Sequence, residues 1–307
     1  MRCRKCGQRA AINMRHHRLA LCSIHFPEWL MEQTQRFIEK YNMFTPSDRL
    51  LVAVSGGKDS LSLWDILWRL GYQTVGLYID LGIDGGIRYS ARSRQCAQQF
   101  AGERGLVLEI YNLQSEIGRG LPDLANQNQR GKEKPCSPCG LVKRYIMNRF
   151  ALKQGFDALV TAHNLDDEAA ILLANTLDWS LEHLSRGLPV MPSGAGFVKK
   201  VKPFCRISER ESAAYAIMRG IVYMEDECPY SVGSKQLFFK HHLNEWEDKM
   251  PGVKLRFYNN YLKAVEAGAF PERQDSAEIL SRQQCGVCGQ PTTANGLCAF
   301  CRITLRK

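Results

Sequence analysis

Residues 50–60, LLVAVSGGKDS, join an apolar run to two glycines and then to polar residues. The apolar run predicts a buried strand, and the polar residues after the glycines predict the start of a helix. Gly56 and Gly57 allow a sharp turn and a close approach to a ligand, while the free N–H groups of a helix start attract anions. With the Lys58 ammonium beside them, these features predict a phosphate-binding loop rather than an ordinary corner between strand and helix. The spacing differs from the Walker A loop, which has four residues between its first glycine and its Gly-Lys pair.

The composition is that of a globular chain long enough for one large domain with small appendages. Of the 307 residues, 45% are hydrophobic and 23% are charged, and no apolar run reaches the roughly 18 residues of a membrane span. The N-terminus shows no export segment, so we expect a cytoplasmic protein with no membrane partner. In that reducing compartment, the twelve cysteines predict bound metals rather than disulfides.

Strands and helices alternate along the middle of the chain. The predicted strands are 50–54, 74–79, 107–111 and 158–161, and the predicted helices are 61–70, 89–104, 140–154 and 165–177. This alternation predicts an α/β fold with a Rossmann-like parallel sheet. Ligands bind beyond the carboxyl ends of such strands, so Ser55, Asp80 and His163 are expected to line one crevice. The polar stretch 112–135 is too long for an ordinary connection and predicts a mobile lid or a substrate-binding loop.

Cysteine pairs mark both ends of the chain. The N-terminal set is Cys3, Cys6, Cys22 and His25, and the C-terminal set is Cys285, Cys288, Cys298 and Cys301. Paired ligands at this spacing predict a structural zinc ion at each end, because four protein ligands close a tetrahedron around the metal. We therefore divide the chain into an N-terminal zinc finger at 1–27, a linker helix at 28–48, a catalytic domain at 49–270 and a C-terminal zinc finger at 283–307.

A third cysteine group has an incomplete ligand set. Cys136 and Cys139 stand in the run PCSPCG, and the obvious third partner is Cys228. Three thiols suit an iron–sulfur cluster that leaves one iron atom open to water, substrate or sulfide. The spacing fits equally well a redox-active cysteine pair with Cys228 merely buried.

Acidic residues open the helix that follows the predicted strand 158–161. His163 precedes this helix, and Asp166 and Asp167 lie in its first turn, where the helix dipole alone favours carboxylates. Across from a phosphate-binding loop, the same groups stand where Mg²⁺ or a leaving pyrophosphate would be handled. We favour that functional role over simple capping.

The net charge of +10 is concentrated around the cysteine pair. Residues 119–153 carry eight basic side chains and two acidic ones, a pattern that predicts contact with nucleic acid. The basic residues are Arg119, Arg130, Lys132, Lys134, Lys143, Arg144, Arg149 and Lys153.

Several motifs together resemble those of the PP-loop ATP pyrophosphatases that thiolate tRNA, and most closely the tRNA 2-thiouridine synthetases. The motifs are SGGKDS, PCxxCGxxKRY, HNLDDEA, VKPF, Cys228-Pro229 and a zinc knuckle at each end. The resemblance implies an enzyme that splits ATP into AMP and pyrophosphate, adenylates the C2 carbonyl of 5-methyluridine at position 54 of tRNA, and replaces the oxygen by sulfur. It also implies a ubiquitin-like sulfur carrier with a C-terminal thiocarboxylate, and a homodimer.

The same resemblance assigns roles to residues. Cys136, Cys139 and Cys228 would ligate a 4Fe-4S cluster. Lys143 and Asp167 would be the catalytic pair, and we add Asp59 of the phosphate-binding loop as a further expected catalytic residue. Ala162 departs from the family pattern, because glycine is expected before the histidine, and its methyl group can alter how closely a ligand approaches. The residues expected around Mg²⁺ and ATP are Ala53, Ser55, Gly56, Gly57, Lys58, Asp59, Ser60, Asp80, His163 and Asp166.

Four alternatives remain open at this point. The same adenylation can serve a wobble uridine, or it can use a persulfide on Cys136 or Cys139 without a cluster. A lysidine-type or amidotransferase-like ligase would let an amine attack the adenylate, although it needs no set of three cysteines. A metal-stabilised, non-catalytic RNA-binding or redox-sensing protein would retain only the ATP pocket. RNA-dependent release of pyrophosphate excludes this last class.

Overall fold

The computed structural model describes residues 1–127, 132–185, 187–194, 196–231, 233–270 and 283–305. Arg130 of the predicted basic stretch and the last two residues of the predicted C-terminal zinc finger lie outside the described residues. Among the helices described, none combines the length and the apolar character needed to cross a membrane.

The strands of the described residues form one six-stranded sheet and two small hairpins. The strands are β1 Ile12–Met14, β2 Leu19–Leu21, β3 Arg49–Val54, β4 Gln73–Asp80, β5 Leu108–Asn112, β6 Ala158–Val160, β7 Val190–Met191, β8 Lys199–Val201, β9 Gln283–Gln284 and β10 Pro291–Thr292. The helices between them are His25–Lys40, Lys58–Arg69, Tyr89–Arg104, Leu113–Ile117, Leu121–Asn126, Cys136–Lys153, Leu165–Leu177, Leu181–Leu184, Glu209–Met218, Lys235–Lys249, Val253–Glu266 and Ala299–Thr304.

The large sheet has the order β5-β4-β3-β6-β8-β7. All its neighbouring strands are parallel except β7, which pairs antiparallel with β8 at the edge. The chain places β4 and β5 on one side of β3 and the later strands on the other side, so the strand order reverses at β3. The α/β fold with a parallel sheet is therefore confirmed, and the 55–60 loop lies at the reversal point, where such sheets bind ligands.

Alternate residues of β3 enter two different cores. Leu50 and Val52 pack with the helices Lys58–Arg69 and Glu209–Met218. Leu51 packs on the opposite face, which the helix Cys136–Lys153 covers. Burial of each such side chain contributes about 1.5–3 kcal/mol, so β3 is held firmly between two layers. The end of β3 is therefore a rigid support for the loop that follows it.

The helix predicted for the linker at 28–48 has different bounds in the structure. The helix runs over His25–Lys40, and residues 45–48 form a turn in which the Asp48 carboxylate accepts the Thr45 N–H at 2.9 Å. Phe26 and Leu30 are fully buried in the main core. Because its apolar stripe packs against the catalytic domain, this helix belongs to the core rather than to a linker.

Two further predictions need correction. The helix expected at 140–154 begins at Cys136, because the first turn of a helix tolerates Pro138. The polar stretch 112–135, expected to be a lid or loop, begins with the helices Leu113–Ile117 and Leu121–Asn126. Asn112 caps the first of these helices by accepting the Ser115 N–H at 3.0 Å.

Candidate active site

The SGGKDS loop (residues 55–60) turns into its helix at Lys58, three residues earlier than predicted. The hydroxyl oxygen of Ser60 accepts the Ser55 N–H at 3.1 Å, which closes the turn. Gly56 has a φ of 76°, and a Cβ at this position would overlap the carbonyl oxygen of Ser93. Because the first turn of a helix leaves N–H groups without helical partners, the loop has the geometry to hold phosphate.

Two lysines and three carboxylates form a continuous series of ion pairs beside the loop, here called the charge chain. Lys58 Nζ lies 3.2 Å from Asp59 and 2.7 Å from Glu209. Lys240 Nζ lies 3.3 Å from the second oxygen of Glu209 and 2.6 Å from Asp167. The charge chain therefore connects Lys58 of the loop to the predicted catalytic Asp167. It does so through Glu209 and Lys240, two residues that the sequence analysis did not identify as site residues.

Burial shifts the pKa values of Asp59 and Lys58 in the charge chain. Burial raises the pKa of Asp59, and the Lys58 ammonium opposes the rise. For Lys58 itself, burial lowers the pKa, but the charges of Asp59 and Glu209 outweigh it and raise the pKa overall. One carboxylate oxygen of Asp59, Oδ1, is buried without a hydrogen-bond partner. An orphaned carboxylate oxygen beside a phosphate-binding loop fits Mg²⁺, which prefers oxygen ligands.

The two aspartates in the first turn of the helix Leu165–Leu177 make different contacts. Asn164 caps the helix Leu165–Leu177 by accepting the Asp167 N–H at 3.0 Å, and one Asp167 oxygen accepts the Asn164 N–H in return. Asp166 is buried, with one oxygen 2.5 Å from Lys254 Nζ and the other accepting the Glu209 N–H at 2.8 Å. Asp167 faces the charge chain, whereas both oxygens of Asp166 hold neighbouring elements together.

His163 lies at the carboxyl end of β6 among positive charges. Its Nδ1 is 3.0 Å from the hydroxyl of Thr161. Burial lowers the pKa of His163 to about 3, and the charges of Lys200, Lys202 and Lys240 act in the same direction. The imidazole is therefore neutral at physiological pH and serves as a hydrogen-bonding group.

The other loop-side residues lie where strand ends predict them. Asp80 ends β4, and its carboxylate is 3.2 Å from Arg94 and accepts the Gly82 N–H at 3.1 Å. Ala53 lies on β3, half-buried on the face covered by the helix Cys136–Lys153.

The cysteine trio (Cys136, Cys139 and Cys228) comes together from two distant segments. Cys136 and Cys139 lie three residues apart in the first turn of their helix, so they share one helix face. The Cys136 thiol donates to the Tyr230 carbonyl at 3.0 Å, which brings the Cys228 segment to this helix. Burial raises the pKa of Cys136, and the neighbouring charges of Cys139 and Cys228 raise it further.

The spacing of the trio differs from that of the two terminal sets. The three sulfur atoms, all within the described part of the chain, are not all within 4.8 Å of one another. Ligands of a four-iron cluster bind different iron atoms and so stand further apart than the ligands of one zinc ion. The donor set therefore fits a cluster better than a single metal ion.

The segment that carries Cys228 also touches the SGGKDS loop. The Met224 N–H donates to the Gly56 carbonyl at 2.8 Å, and Asp226 pairs with Arg92 at 2.5 Å. Cys228 follows Met224 by four residues, so their Cα atoms are at most about 14 Å apart. A direct backbone contact and a short segment thus connect the trio to the loop, and the region between them is the candidate cleft.

Lys143 lies on the trio side of this cleft. It follows Cys139 by four residues and Cys136 by seven, so all three lie on the same helix face. Its charge opposes the burial that raises the pKa of Cys139. The Lys143 ammonium has no ion-pair partner within the described ranges, so it is available to a substrate anion.

Both terminal cysteine sets converge as predicted for metal sites. The four ligand atoms of Cys3, Cys6, Cys22 and His25 lie within 4.8 Å of one another, and so do those of Cys285, Cys288, Cys298 and Cys301. The N–H groups of Cys288 and Cys298 lower the pKa of Cys285 to about 6, which favours the metal-binding thiolate. Each end of the chain can therefore hold one metal ion.

Two family models match this chain. A family model described as a PP-loop domain matches residues 29–244. A second, described as the N-terminal LIM domain of the 2-thiouridine synthetase TtuA, matches residues 2–27.

Relatives match over nearly the whole chain. The tRNA-5-methyluridine(54) 2-sulfurtransferase of Thermus thermophilus is 48% identical, over 99% of this chain and 91% of the relative. The protein of the same name from Pyrococcus horikoshii is 41% identical, over 99% of this chain and 93% of the relative. Among solved structures, the U34-tRNA thiolase NcsA of Methanococcus maripaludis with its [4Fe-4S] cluster has a TM-score of 0.81 at 24% identity, covering 99% of this chain and 95% of that one. This last likeness concerns the fold.

Proposed function

The chain belongs to the PP-loop family of tRNA 2-sulfurtransferases, and we propose that it replaces the C2 oxygen of 5-methyluridine54 of tRNA with sulfur at the expense of ATP. The observation that carries the proposal is that the segment holding Cys228 binds both the SGGKDS loop, through the Met224 N–H and the Gly56 carbonyl, and the helix of the cysteine pair, through the Tyr230 carbonyl and the Cys136 thiol. A lysidine-type ligase would need the loop alone, and a redox sensor would need the thiols alone. Thiolation by adenylation needs both beside each other.

We propose two chemical steps. The C2 oxygen attacks the α-phosphorus of ATP, pyrophosphate leaves, and the base carries AMP on its oxygen. Hydrosulfide then attacks C2, AMP departs with that oxygen, and loss of the S–H proton leaves the C2 thiocarbonyl. In the first step, the N–H groups of the loop and the Lys58 ammonium would stabilise the charge that develops on the phosphates.

Mg²⁺ would be held by the carboxylates of the charge chain. Asp59 pairs with Lys58 through its other oxygen and Asp167 pairs with Lys240, while Glu209 binds both lysines and so holds the two carboxylates near each other. When bound, Mg²⁺ supplies positive charge to the departing pyrophosphate. Asp166 supports this arrangement by fixing the first turn of the Glu209 helix.

Lys143 and the cysteine trio would serve the second step. Cys136, Cys139 and Cys228 would hold a 4Fe-4S cluster, which would supply iron that can bind sulfide. The Lys143 ammonium, on the same helix face, would bind the phosphate of the adenylated base and favour the departure of AMP. We further propose zinc at each end, a ubiquitin-like thiocarboxylated protein as the sulfur source, a cytoplasmic location and a homodimer.

The decisive test combines one product analysis with matched cysteine variants. The reconstituted, oxygen-protected protein is given ATP, Mg²⁺, sulfide and tRNA from a strain that lacks the gene, and the tRNA nucleosides are analysed by mass spectrometry. We expect 2-thio-ribothymidine from the wild type and from Cys96→Ser, since Cys96 lies outside the trio. Cys228→Ser should lose sulfur transfer.

Other products or dependences would point to the alternatives. Thiolation of a wobble uridine would move the target within tRNA while keeping the chemistry. Full sulfur transfer by Cys228→Ser, with neither iron nor inorganic sulfide in the protein, would replace the cluster by a persulfide. Failure of tRNA to stimulate pyrophosphate release would refute the enzymatic proposal altogether.

A further inference from the structure

Two histidines and one glutamate meet where the N-terminal hairpin packs on the catalytic domain. His16 and His17 end the short 3₁₀ helix Arg15–His17, which joins β1 to β2. Glu211 lies in the first turn of the helix Glu209–Met218, 195 residues further along the chain than His16. One ligand atom from each of the three residues lies within 4.8 Å of the other two. The set is therefore as compact, by this measure, as the cysteine sets at the two ends of the chain.

Glu211 divides its two oxygens between different partners. Oε2 accepts the N–H and the hydroxyl of Ser208, both at 2.7 Å, which completes the capping box of the helix. Oε1 faces the imidazoles and lies 3.1 Å from Nε2 of His16 and 3.4 Å from Nε2 of His17. Glu211 is only 1% exposed, so its charge is withdrawn from water. The cap uses one oxygen, and the other is left for a cation.

An ion pair with one histidine explains only part of this arrangement. One protonated imidazole suffices to balance a single buried carboxylate. A second charged imidazole would repel the first, because the ring centroids of His16 and His17 are 4.2 Å apart. The 3.4 Å between His17 and Glu211 also exceeds the usual length of an N–H···O hydrogen bond, about 2.7–3.2 Å. The ion pair therefore accounts for His16 and leaves the convergence of His17 unexplained.

A single zinc ion accounts for both histidines. Zinc binds histidine nitrogen and carboxylate oxygen at about 2.0–2.2 Å, so two such ligands of a tetrahedral site stand about 3.3–3.5 Å apart. The separations of 3.1 and 3.4 Å between the imidazole nitrogens and Glu211 are close to this. The ring of His17 is also held in place, because it lies edge-on to Trp29 with centroids 5.0 Å apart. The three side chains thus offer the atom types and the spacing that zinc requires.

The set opens on a cavity that favours cations. The cavity has a volume of about 380 Å³, and His16 and Glu211 form part of its wall. Among its lining residues, carboxylates outnumber lysines and arginines by five to three. Three protein ligands leave one position of a tetrahedral zinc ion free, and the cavity has room for a water molecule at that position. A zinc ion can therefore complete its coordination from this side.

We propose that His16, His17 and Glu211 bind a zinc ion in addition to the metal ions proposed at the two ends of the chain. The ion would join the helix Arg15–His17 of the N-terminal hairpin to the helix that begins at Glu209. Because Glu209 holds both lysines of the charge chain, the ion would fix this side of the candidate active site. Without the ion, Glu211 pairs with a protonated histidine, so zinc competes with that proton.

The chain contains a second set of the same composition that serves as a matched control. On the helix Lys235–Lys249, His241 lies 3.2 Å and His242 lies 3.3 Å from Glu245. These two histidines contact different oxygens of Glu245, and all three side chains are at least 40% exposed. The control set therefore has the same residue types without the burial and without the convergence on one oxygen.

The test counts the zinc bound by the full-length protein, purified anaerobically with its cluster and supplied with Zn²⁺. Elemental analysis after gel filtration gives the zinc content, and calorimetric titration with Zn²⁺ gives the affinity. The wild type should hold one zinc ion per chain more than His16→Gln or His17→Gln. Each of these variants should bind the additional ion at least about tenfold more weakly, because it lacks one of three protein ligands. His241→Gln should match the wild type in both measurements.

Hydrogen exchange locates the ion in the wild type, without any substitution. Zn²⁺ should slow amide exchange in the segments Arg15–His17 and Glu209–Met218 and leave the helix Lys235–Lys249 unchanged. Equal zinc content in the wild type and in His17→Gln, or unchanged exchange in the first two segments, overturns the site and leaves only the ion pair. Loss of the ion in His241→Gln with retention in His17→Gln assigns it to the exposed set and also overturns the proposal. None of these results affects the proposal of tRNA thiolation, which is tested by its nucleoside product.

Discussion

Gly56→Ala should cripple the SGGKDS loop, whereas the same change one residue later should not. Gly56 has a φ of 76°, a left-handed conformation that costs a residue with a Cβ about 1–2 kcal/mol. The new methyl group would also stand closer than 3.0 Å to the Ser93 carbonyl, which belongs to the backbone of the helix Tyr89–Arg104. Relief of the overlap requires that helix or the loop to move, at a further cost of about 1–3 kcal/mol.

Gly57→Ala is the matched control. Gly57 has a φ of −88°, and the nearest atom to its added Cβ is the Ser55 hydroxyl at an ordinary 3.5 Å. Because Gly57 caps the helix without a side-chain hydrogen bond, replacing it by alanine should cost no more than about 1 kcal/mol.

Urea denaturation and ATP binding measure the two consequences. For Gly56→Ala, we expect a loss of about 2–5 kcal/mol in the free energy of unfolding and at least tenfold weaker ATP binding, because the loop N–H groups move. Gly57→Ala should retain its ATP affinity within a few fold. Equal effects of the two substitutions would refute the claim that the loop conformation at Gly56 is what the phosphates require.

Four other predictions concern the surroundings of the cleft. Glu209→Gln removes the carboxylate shared by two lysines and should raise the Mg²⁺ concentration needed for pyrophosphate release severalfold; an unchanged Mg²⁺ titration would count against the charge chain. Asp166→Ala should lower the free energy of unfolding by about 3–5 kcal/mol, because it leaves Lys254 buried without its ion pair. Adding Lys254→Met to the same protein should recover much of this loss. If Asp166 only binds ATP, the free energy of unfolding should instead be unchanged. Burial lowers the pKa of His16, but the hydrogen bond and the charge of Glu211 outweigh burial and raise the pKa above 6.5. The pair of His16 and Glu211 therefore stabilises the fold most below pH 6.5, and this stabilisation is lost as the pH rises through the raised pKa. The stability difference between wild type and Glu211→Gln should therefore shrink on the alkaline side in chemical denaturation, and a constant difference would contradict the ion pair. Cys288→Ser, which removes one ligand of the C-terminal cysteine set, should reduce sulfur transfer more than pyrophosphate release, because that end packs on the helix of the cysteine pair; equal inhibition of both would refute this.

The elements around the site could be predicted because each carries its signal within a few residues. An apolar run before Gly56 and an acidic first turn after Asn164 each mark a strand, a turn or a helix locally. Errors arose where tertiary packing decides the outcome. The helix His25–Lys40 reads as a linker in sequence, yet its buried Phe26 and Leu30 make it part of the core.

The residues that the sequence missed are those that enter the cleft from separate segments. Glu209 and Lys240 belong to two different helices, and nothing in their local sequence pattern indicates that they meet beside Asp167. One signal was present: Ser208 and Glu211 form a capping box, which identifies Glu209 as the first residue of a helix. That position alone says nothing about which lysine it faces, because the partner is set by the sheet order.

Each end of the chain packs against a helix that carries a residue of the candidate site. At the N-terminal end, His16 lies 3.1 Å from Glu211, two residues from Glu209 of the charge chain. At the C-terminal end, the ring of Phe300 stacks on Tyr145 with centroids 3.7 Å apart, two residues from Lys143. A metal site with four protein ligands has no position for substrate, so its contribution is rigidity. A metal at each end would therefore act on catalysis from a distance, by fixing the ATP wall through one helix and the sulfur wall through another. Both metals would then be structural, and yet the loss of each would affect a different step of the reaction.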